Sequence, residues 1–374
     1  MQKISNIFKE EKKMKKNTVI LTAALISAFT ASTALADTTV EFRKAVEDRG
    51  GTVVWNSQNR SVTAEVDGKT ISFTVGSGKV VVDGQEINAE TTIVNNRTMV
   101  STGFIRQYVT GNNEEAEMSH TEKALALINS FASGDTTVAD ELMAEGYIQH
   151  NLAYGTGREA FKDSVRYLAS APEETTVNNI RACEDGDYVF LQTVYNFAGA
   201  GEQVAFDIFR FDENGKIAEH WDNLASLAEP NPSGHTQIDG AMELKDLDKT
   251  EENRTLVKNF LYDVMQGNNL EKTPEYFDAD TYIQHNTGIA DGVSGLNEAL
   301  AALAEQGIEM IYDETHMVLA QGNYVLAVSE GTFGGAPTSY YDLWRVEDGK
   351  IAEHWDVMET IADPSTWANE NGKF

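Results

Sequence analysis

Apolar residues recur along this chain in two rhythms, and the order of the rhythms repeats. From 39 to about 111 the rhythm is short and alternating: Thr52-Val-Val-Trp55, the turn Asn56-Ser-Gln-Asn59, then 61–66, Asp67-Gly68 and 70–75. Alternation of period two turns one face of each segment toward a core, and Asp-Gly between two such segments is a strong hairpin signal. Val80-Val-Val-Asp-Gly84 and Ile93-Val-Asn-Asn-Arg97 continue the pattern, and a short helical stretch at 102–108 closes it. A small β-rich domain over 37–111 is expected.

A polar segment at 110–119, loosest at Gly111-Asn-Asn-Glu-Glu115, leads into the second rhythm. In 119–133, Ala124, Leu125, Leu127, Ile128 and Phe131 fall at helical spacing. A shorter helix is predicted at 138–144 and a third at 158–168, where Phe161, Val165 and Leu168 align. After Pro172 the period becomes two, predicting strands at 176–184, 188–197, 203–211 and 216–222, with turns at Asp185-Gly-Asp187 and Asn214-Gly215. The stretch 229–250, opening with Glu229-Pro-Asn-Pro-Ser-Gly234, is a second linker. The order then returns: a helix at 251–266, a region 276–286, a helix at 292–304, and strands at 309–319, 324–332, 339–346 and 350–357. Three helices followed by a four-stranded antiparallel meander define an α+β domain with helices on one face of a curved sheet.

The return is literal. Gly-Lys-Ile-Ala-Glu-His-Trp-Asp at 215–222 recurs letter for letter at 349–356, an offset of 134. Tyr147-Ile-Gln-His-Asn151 recurs as Tyr282-Ile-Gln-His-Asn286, and Asp207 answers to Asp342, both at an offset of 135. The missing residue falls in the turn Asp212-Glu-Asn-Gly215 against Glu347-Asp-Gly349, where a deletion costs least. The chain therefore carries a duplicated domain, at 119–229 and 250–362.

Composition fits this division. With 374 residues, 41% hydrophobic and 24% charged, the chain suits several soluble domains rather than one core. Lys12, Lys13, Lys15 and Lys16 precede an apolar run from Val19 to Phe29, and Ala34-Leu-Ala36 has the small-residue pattern of a signal-peptide cleavage site. Residues 1–36 are expected to direct export, giving a secreted or extracytoplasmic protein associated with the cell envelope. A membrane anchor is the alternative, although the run is short of the roughly 20 residues a span needs, and no other stretch would span. Without those 36 residues, which hold six lysines and two glutamates, 23 basic residues stand against 57 acidic, a net charge of −34. Such a surface disfavours nucleic acid and anionic lipid. The single cysteine, Cys183, excludes an internal disulfide and reads as a small buried residue in a strand.

The Trp-Asn turn, the Val-Asp-Gly repeats and Asn96-Arg-Thr-Met-Val100 before Phe104-Ile105 resemble the copper amine oxidase N-terminal-like, or stalk, domain of exported bacterial proteins. Copper is not implied here, because no histidine or cysteine lies between Asp37 and Ser119. A spacer, an adhesive module or a structural cap is the expected role. The duplicated unit, with Tyr-Ile-Gln-His-Asn after two helices and Gly-Lys-Ile-Ala-Glu-His-Trp-Asp in the last strand, resembles the SnoaL-like polyketide cyclase family, within the fold of nuclear transport factor 2 (NTF2) and ketosteroid isomerase. That resemblance implies two cone-shaped domains, each three helices on a curved antiparallel sheet with a pocket between them. Because sheets of this fold commonly pair as dimers, two copies in one chain could form an internal pseudo-dimer.

Each repeat concentrates two histidines and two aspartates in its best-matched segments: His150, Asp207, His220 and Asp222, then His285, Asp342, His354 and Asp356. Residues two apart in a strand share a face, so His220 and Asp222 should point together, as should His354 and Asp356, with Ile217, Glu219 and Trp221 pointing away. An aspartate among aromatic side chains is pushed toward its neutral form, which suits proton transfer. Removal of a proton next to a carbonyl, with a neighbouring donor on the enolate oxygen, needs no cofactor. The cyclase resemblance implies an acid/base aspartate at the end of the last strand, which by position falls on Asp222 and Asp356. His150 and His285 would orient substrate, and Tyr147, Gln149, Asn151, Trp221 and their counterparts Tyr282, Gln284, Asn286 and Trp355 would contact it.

Other readings stand beside this one. A His to Asp hydrogen bond and Trp packing could simply hold the sheet together, and Arg210 and Arg345 suit ion pairs with Glu219 and Glu353 across the hairpin. Two histidines and two carboxylates could bind a metal, but no His-x3-His or Glu-x-x-His spacing supports it. His120, His235 and His316 lie outside the repeated blocks and read as incidental. Tyr340-Tyr341 and Trp344 in the second copy stand where the first has Ala205-Phe206 and Phe209, as if one pocket had decayed. The expected function is cofactor-independent acid/base catalysis, an aldol-type cyclisation or isomerisation, on a small carbonyl compound. The alternatives are non-catalytic capture of a hydrophobic small molecule outside the cell and a structural cell-envelope module.

Overall fold

A computed structural model describes residues 39–89, 91–94, 97–109 and 118–374. The signal segment expected at 1–36 lies outside the described residues. The chain opens with strand β1 (Thr39–Glu41), helix α1 (Phe42–Glu47) and a five-stranded meander in sequence order: β2 (Thr52–Asn56), β3 (Ser61–Val66), β4 (Lys69–Thr74), β5 (Lys79–Val82) and β6 (Gln85–Asn88). The hairpin expected at Asp67-Gly68 forms, pairing Val66 with Lys69. Strands β7 (Thr91–Val94) and β8 (Arg97–Ser101) pair with each other and β8 pairs with β1, before α2 (Thr102–Phe104) runs into a wider π turn, Ile105–Val109. Phe42 and Val46 from α1 meet Val62, Ile71, Val80 and Val100 in one buried cluster. Alternation of buried and exposed residues in β3 is what lets a domain this small close a core.

The first repeat begins at α3 (His120–Ser133), capped by Ser119, whose hydroxyl accepts from Glu122 N while the Glu122 carboxylate accepts from Ser119 N. Ala124, Leu127 and Ile128 from this helix are buried against the sheet. Then come α4 (Thr137–Leu142), β9 (Met143–Gln149), α5 (Arg158–Ala169), β10 (Thr176–Asp185), β11 (Tyr188–Asn196), β12 (Gln203–Phe211) and β13 (Ile217–Ser226). The second repeat follows the same order: α6 (Thr250–Phe260) with a π extension Leu261–Met265, α7 (Thr273–Tyr276), β14 (Ile283–Gln284), α8 (Gly292–Glu305), β15 (Met310–Gln321), β16 (Tyr324–Phe333), β17 (Ala336–Glu347) and β18 (Lys350–Thr360).

The sheets correct one expectation. Each has five strands and is mixed, not a four-stranded antiparallel meander, with orders β10-β11-β12-β13-β9 and β14-β18-β17-β16-β15. The fifth strand carries the Ile-Gln pair, which lies parallel to the last strand of its repeat and places Gln149 beside His220 and Gln284 beside His354. The helix expected to run to Ala144 stops at Leu142 for this reason, since Met143 already has extended backbone.

Each sheet has two buried faces. The inner face of the first packs Leu191, Ala205 and Phe209 against Leu127 and Val165 of the helices, and the second packs Val325, Trp344 and Ile351 against Val257 and Phe260. The outer faces share one cluster, in which Phe206, Ile208 and Trp221 meet Tyr341, Leu343, Trp355 and Val357. Burying each such side chain contributes about 1.5–3 kcal/mol relative to leaving it in water, so the contact between repeats is an energetic part of the fold. Cys183 is buried in the same cluster, where burial pushes its thiol up to about 12.

The segments that follow each repeat cross to the other. Asn231, after the first repeat, donates to Gln284 O and Ile289 O of the second, at 2.6 and 2.9 Å. Asn369, after the second repeat, donates to Asn151 O and Tyr154 O of the first, both at 2.9 Å. Among the described residues, no helix is long and apolar enough to cross a membrane.

Candidate active site

The ladder between β12 and β13 sets Asp207 directly opposite Asp222, and the ladder between β17 and β18 does the same for Asp342 and Asp356. All four sit on the helix-facing side of their sheets, because Asp207 shares the parity of Ala205 and Phe209, and Asp342 that of Trp344 and Val346. His220 Nε2 lies 3.2 Å from Asp207 Oδ1, and His354 Nε2 lies 3.0 Å from Asp342 Oδ1. The other ring nitrogen meets a glutamine from the parallel strand: His220 Nδ1 to Gln149 Oε1 at 3.1 Å and His354 Nδ1 to Gln284 Oε1 at 3.0 Å.

The glutamines are themselves oriented. Gln149 Nε2 donates to Tyr147 Oη at 3.3 Å and Gln284 Nε2 to Tyr282 Oη at 3.1 Å, while Asn151 N and Asn286 N donate to the glutamine oxygens. Asn151 Nδ2 then reaches Asp222 Oδ2 at 3.0 Å, and Asn286 Nδ2 reaches Asp356 Oδ2 at 2.6 Å. Tyr, Gln and Asn of the repeated pentapeptide thus join both aspartates and the strand histidine in one network, formed twice.

Burial dominates the electrostatics. Asp207 is raised above the ordinary carboxylate range first by its removal from water, with the facing Asp222 charge adding to the effect and the His220 and Tyr195 hydrogen bonds opposing it. Asp356 is raised for the same leading reason, with Asp342 adding and His354 opposing. Oδ1 of Asp222 is buried and has no hydrogen-bond partner among the described residues. A buried carboxylate oxygen without a donor is costly. It is also the atom left available for a proton.

His150 and His285 do not join these networks. Their nitrogens face the opposite side of the sheet, where His150 Nε2 is 2.8 Å from Glu219 Oε1 and His285 Nε2 is 2.9 Å from Glu353 Oε1. Each ring stacks on the neighbouring tryptophan, His150 on Trp221 at 4.7 Å and His285 on Trp355 at 4.6 Å. The expected convergence of His150 with Asp207, His220 and Asp222 is therefore absent, because neighbours along an extended chain point to opposite faces and Gln149 takes the inner position. Trp221 and Trp355 belong to the cluster between the sheets, away from the aspartates. Arg210 and Arg345 pair with Glu219 and Glu353 on that outer side, as the hairpin register suggests.

One local expectation fails for a definable reason. Ile217 packs on the inner face although Trp221 is on the outer one, since a bulge at Ala218 pairs Phe211 with Ile217 and Arg210 with Glu219. The same bulge at Ala352 sets Ile351 inward and Trp355 outward.

The sequence reading missed a tyrosine in each site. Tyr195 Oη donates to Asp207 Oδ2 at 2.9 Å, and Tyr312 Oη lies 3.2 Å from Asp342 Oδ2. These tyrosines are not at corresponding positions. Tyr195 is on β11 opposite Val177 of β10, whereas Tyr312 is on β15 opposite Gly331 of β16. The phenol has changed sides of one cross-strand pair and still reaches the same carboxylate. Gly331 has become a position of close approach, since a Cβ there would sit 1.8 Å from Ile311 O. Period-two parity from Leu191 was the available signal for Tyr195. Tyr340 stacks on Tyr312 at 4.1 Å, so the second site is more crowded by aromatic rings than the first, which has Ala205 there.

Asp207, His220 and Asp222 offer ligand atoms within 4.8 Å of one another, as do His235, Asp239 and His285, and Glu314, His316 and Glu330. In the first group the imidazole already lies within hydrogen-bond distance of the Asp207 carboxylate.

A helical layer packed on one face of a mixed five-stranded sheet, with a polar cluster on that face, is present twice. Residues 124–220 and 257–354, together just over half of the chain, match the SnoaL-like domain model, and the chain belongs to that family. Residues 28–119 match the model of the copper amine oxidase N-terminal domain. Solved structures similar to part of the chain include TsrD from Streptomyces laurentii, 20% identical, covering 29% of this chain and 91% of its own, with a TM-score of 0.25. IdmH from Streptomyces antibioticus, provisionally described as a polyketide cyclase, is 22% identical over 29% of this chain and 92% of its own, with a TM-score of 0.25. An NTF2-like protein from Cytophaga hutchinsonii is 13% identical over 30% of this chain and 94% of its own, with a TM-score of 0.26. No curated protein matches the chain.

Proposed function

We propose that each repeat carries out cofactor-independent proton transfer on a small carbonyl compound, with Asp222 and Asp356 as the bases. The observation that carries this reading is the buried, unpartnered Oδ1 of Asp222 beside a second carboxylate whose charged form burial disfavours. Asp222 Oδ1 takes a proton from the carbon next to the carbonyl, and the bonding pair moves to form the enolate. Its oxygen is met by neutral Asp207, which His220 holds in place, and return of the proton at a new carbon completes an isomerisation. Alternatively the enolate carbon attacks a second carbonyl of the same molecule, and the proton held by Asp222 passes to the alkoxide oxygen that forms, which completes an aldol cyclisation. Positioned acid/base groups of this kind contribute roughly 10²–10⁴-fold in rate.

The lysine-rich start, the apolar run to Phe29 and Ala34-Leu-Ala36 support export of the chain, with the first β-rich domain as a spacer at the cell envelope. The shared outer cluster supports an internal pseudo-dimer, in which the two repeats bury against each other the faces that separate chains of this fold would pair. The catalytic reading is tested by following exchange of α-hydrogens for deuterium in D2O by NMR, with a panel of enolisable diketones. The double variant Asp222→Asn, Asp356→Asn should lose the protein-dependent exchange, and each single variant should lose the share of one repeat. Exchange that survives in the double variant, or that the parent never accelerates, overturns it.

A further inference from the structure

We propose that His235, Asp239 and His285 form a binding site for a divalent transition ion, zinc by preference, which clips the linker between the repeats onto the second repeat. The site lies on the outer side of the second sheet, apart from Asp342, His354 and Asp356. His285 Nδ1 is 2.8 Å from Asp239 Oδ1 and 2.7 Å from Thr236 O, and His235 Nδ1 is 3.9 Å from Asp239 Oδ2. A tetrahedral ion with ligands at about 2 Å holds neighbouring donor atoms roughly 3.3 Å apart. Donor atoms of two imidazoles and one carboxylate lie within 4.8 Å of one another, with the Thr236 carbonyl beside His285 Nδ1, and His235 and Asp239 are exposed enough to adjust to that spacing.

The groups behind the imidazoles strengthen the assignment. A metal-bound histidine characteristically gives its other N–H to a carboxylate, which fixes the ring and raises its basicity. His285 Nε2 meets Glu353 Oε1 at 2.9 Å, and His235 Nε2 meets Asp291 Oδ2 at 3.2 Å. Asp239 is braced as well, since its Oδ1 accepts from Thr236 N and its own N–H reaches Thr236 Oγ1, both at 3.1 Å.

The duplication supplies an internal comparison. His150 keeps the tryptophan stack and the glutamate partner of His285, but its Nδ1 faces only the Gly372 carbonyl at 3.0 Å, and Thr156 stands where the second repeat has Asp291. The scaffold is thus common to both repeats, and the additional imidazole and carboxylates occur at one. Gly240 lets the linker come this close: its φ is 88°, and a Cβ there would lie 2.0 Å from Glu353 Oε1 and 2.8 Å from His285 Nε2.

The test uses the full chain stripped with chelator and titrated with Zn²⁺ by calorimetry, and with Co²⁺ by visible absorption. One ion per chain is expected, with an intense tetrahedral cobalt band and a rise in thermal midpoint of roughly 5 °C at saturating zinc. His235→Ala and Asp239→Asn should each weaken binding at least tenfold while leaving the metal-free midpoint within a few degrees. His316→Ala and His220→Ala, which remove the other two clusters, should leave the binding intact. Absence of stoichiometric binding, binding indifferent to His235→Ala and Asp239→Asn, or loss of binding only in His316→Ala or His220→Ala overturns the assignment.

Discussion

Asp207 and Asp222 are direct partners across the β12–β13 ladder, two acids on one buried face of a sheet where opposite charges or apolar pairs are the stabilising choice. Asp342 and Asp356 repeat the arrangement. The consequence for stability has a definite sign. An acid whose pKa is higher in the folded state binds its proton more tightly there, so folding is favoured as pH falls into the window between the raised folded value and the ordinary unfolded one, and penalised above it. Asp207 and Asp356 are both raised. Stability should therefore fall as pH rises out of the carboxylate range, and the fall should be shallower in Asp207→Asn and Asp356→Asn than in the parent. Denaturant unfolding between pH 4.5 and pH 8 reads this directly. The comparison with the variants removes the contribution of the chain's overall negative charge, which acts in the same direction.

Asn223 ties the repeats together by donating to Ser339 O and Val357 O, both at 2.9 Å, from a position with no solvent exposure. Replacing it with alanine removes both of these hydrogen bonds between the repeats. A typical intramolecular hydrogen bond contributes about 0.5–1.5 kcal/mol net, so Asn223→Ala should lower unfolding free energy by roughly 2 kcal/mol. The loss should be visible in the second repeat as well as the first, as faster amide exchange in β17 and β18. A loss confined to β13 would mean that the two sheets do not share their stability.

Trp355 distinguishes packing from substrate contact. It is almost fully buried, lies under the Arg181 guanidinium at 4.1 Å, stacks on His285 and donates Nε1 to Asp239 O at 3.0 Å. Trp355→Ala should cost about 3–5 kcal/mol from lost burial and the cavity it leaves. Trp355→Phe keeps a ring and should cost less, while leaving deuterium exchange by the second repeat at the parent rate. A selective loss of exchange in Trp355→Phe, with stability retained, would return the tryptophan to the active site.

Much of this architecture was legible because repeated letters and apolar periodicity are local. Helical spacing in 119–133 gives α3, and the period-two strands after Pro172 match β10 to β13. What escaped depends on contacts between distant segments. Nothing local says that Tyr147 to Gln149 becomes a strand parallel to β13, yet that pairing decides that Gln149 faces His220 and that His150 faces Glu219. The tyrosines on Asp207 and Asp342 escaped for a related reason: Tyr195 and Tyr312 occupy opposite members of a cross-strand pair, so aligning the two repeats letter by letter hides their common role.

The exchange of terminal segments predicts an asymmetry between the repeats. Asn369 and Asn371 together supply four hydrogen bonds to the end of β9 and the loop after it, reaching Asn151 O, Tyr154 O, Gln149 O and Thr156 Oγ1. Asn231 supplies two to the corresponding loop after β14, at Gln284 O and Ile289 O. Because the first loop carries Asn151, which fixes Asp222, loosening the segment after the second repeat should disturb the site of the first. The double variant Asn369→Ala, Asn371→Ala should speed amide exchange across 149–156 by at least tenfold, equivalent to about 1.4 kcal/mol or more per opening event, and leave 284–291 unchanged. Asn231→Ala should do the reverse. If either change loosens both loops equally, the segments act only through overall stability and not as straps on the opposite repeat.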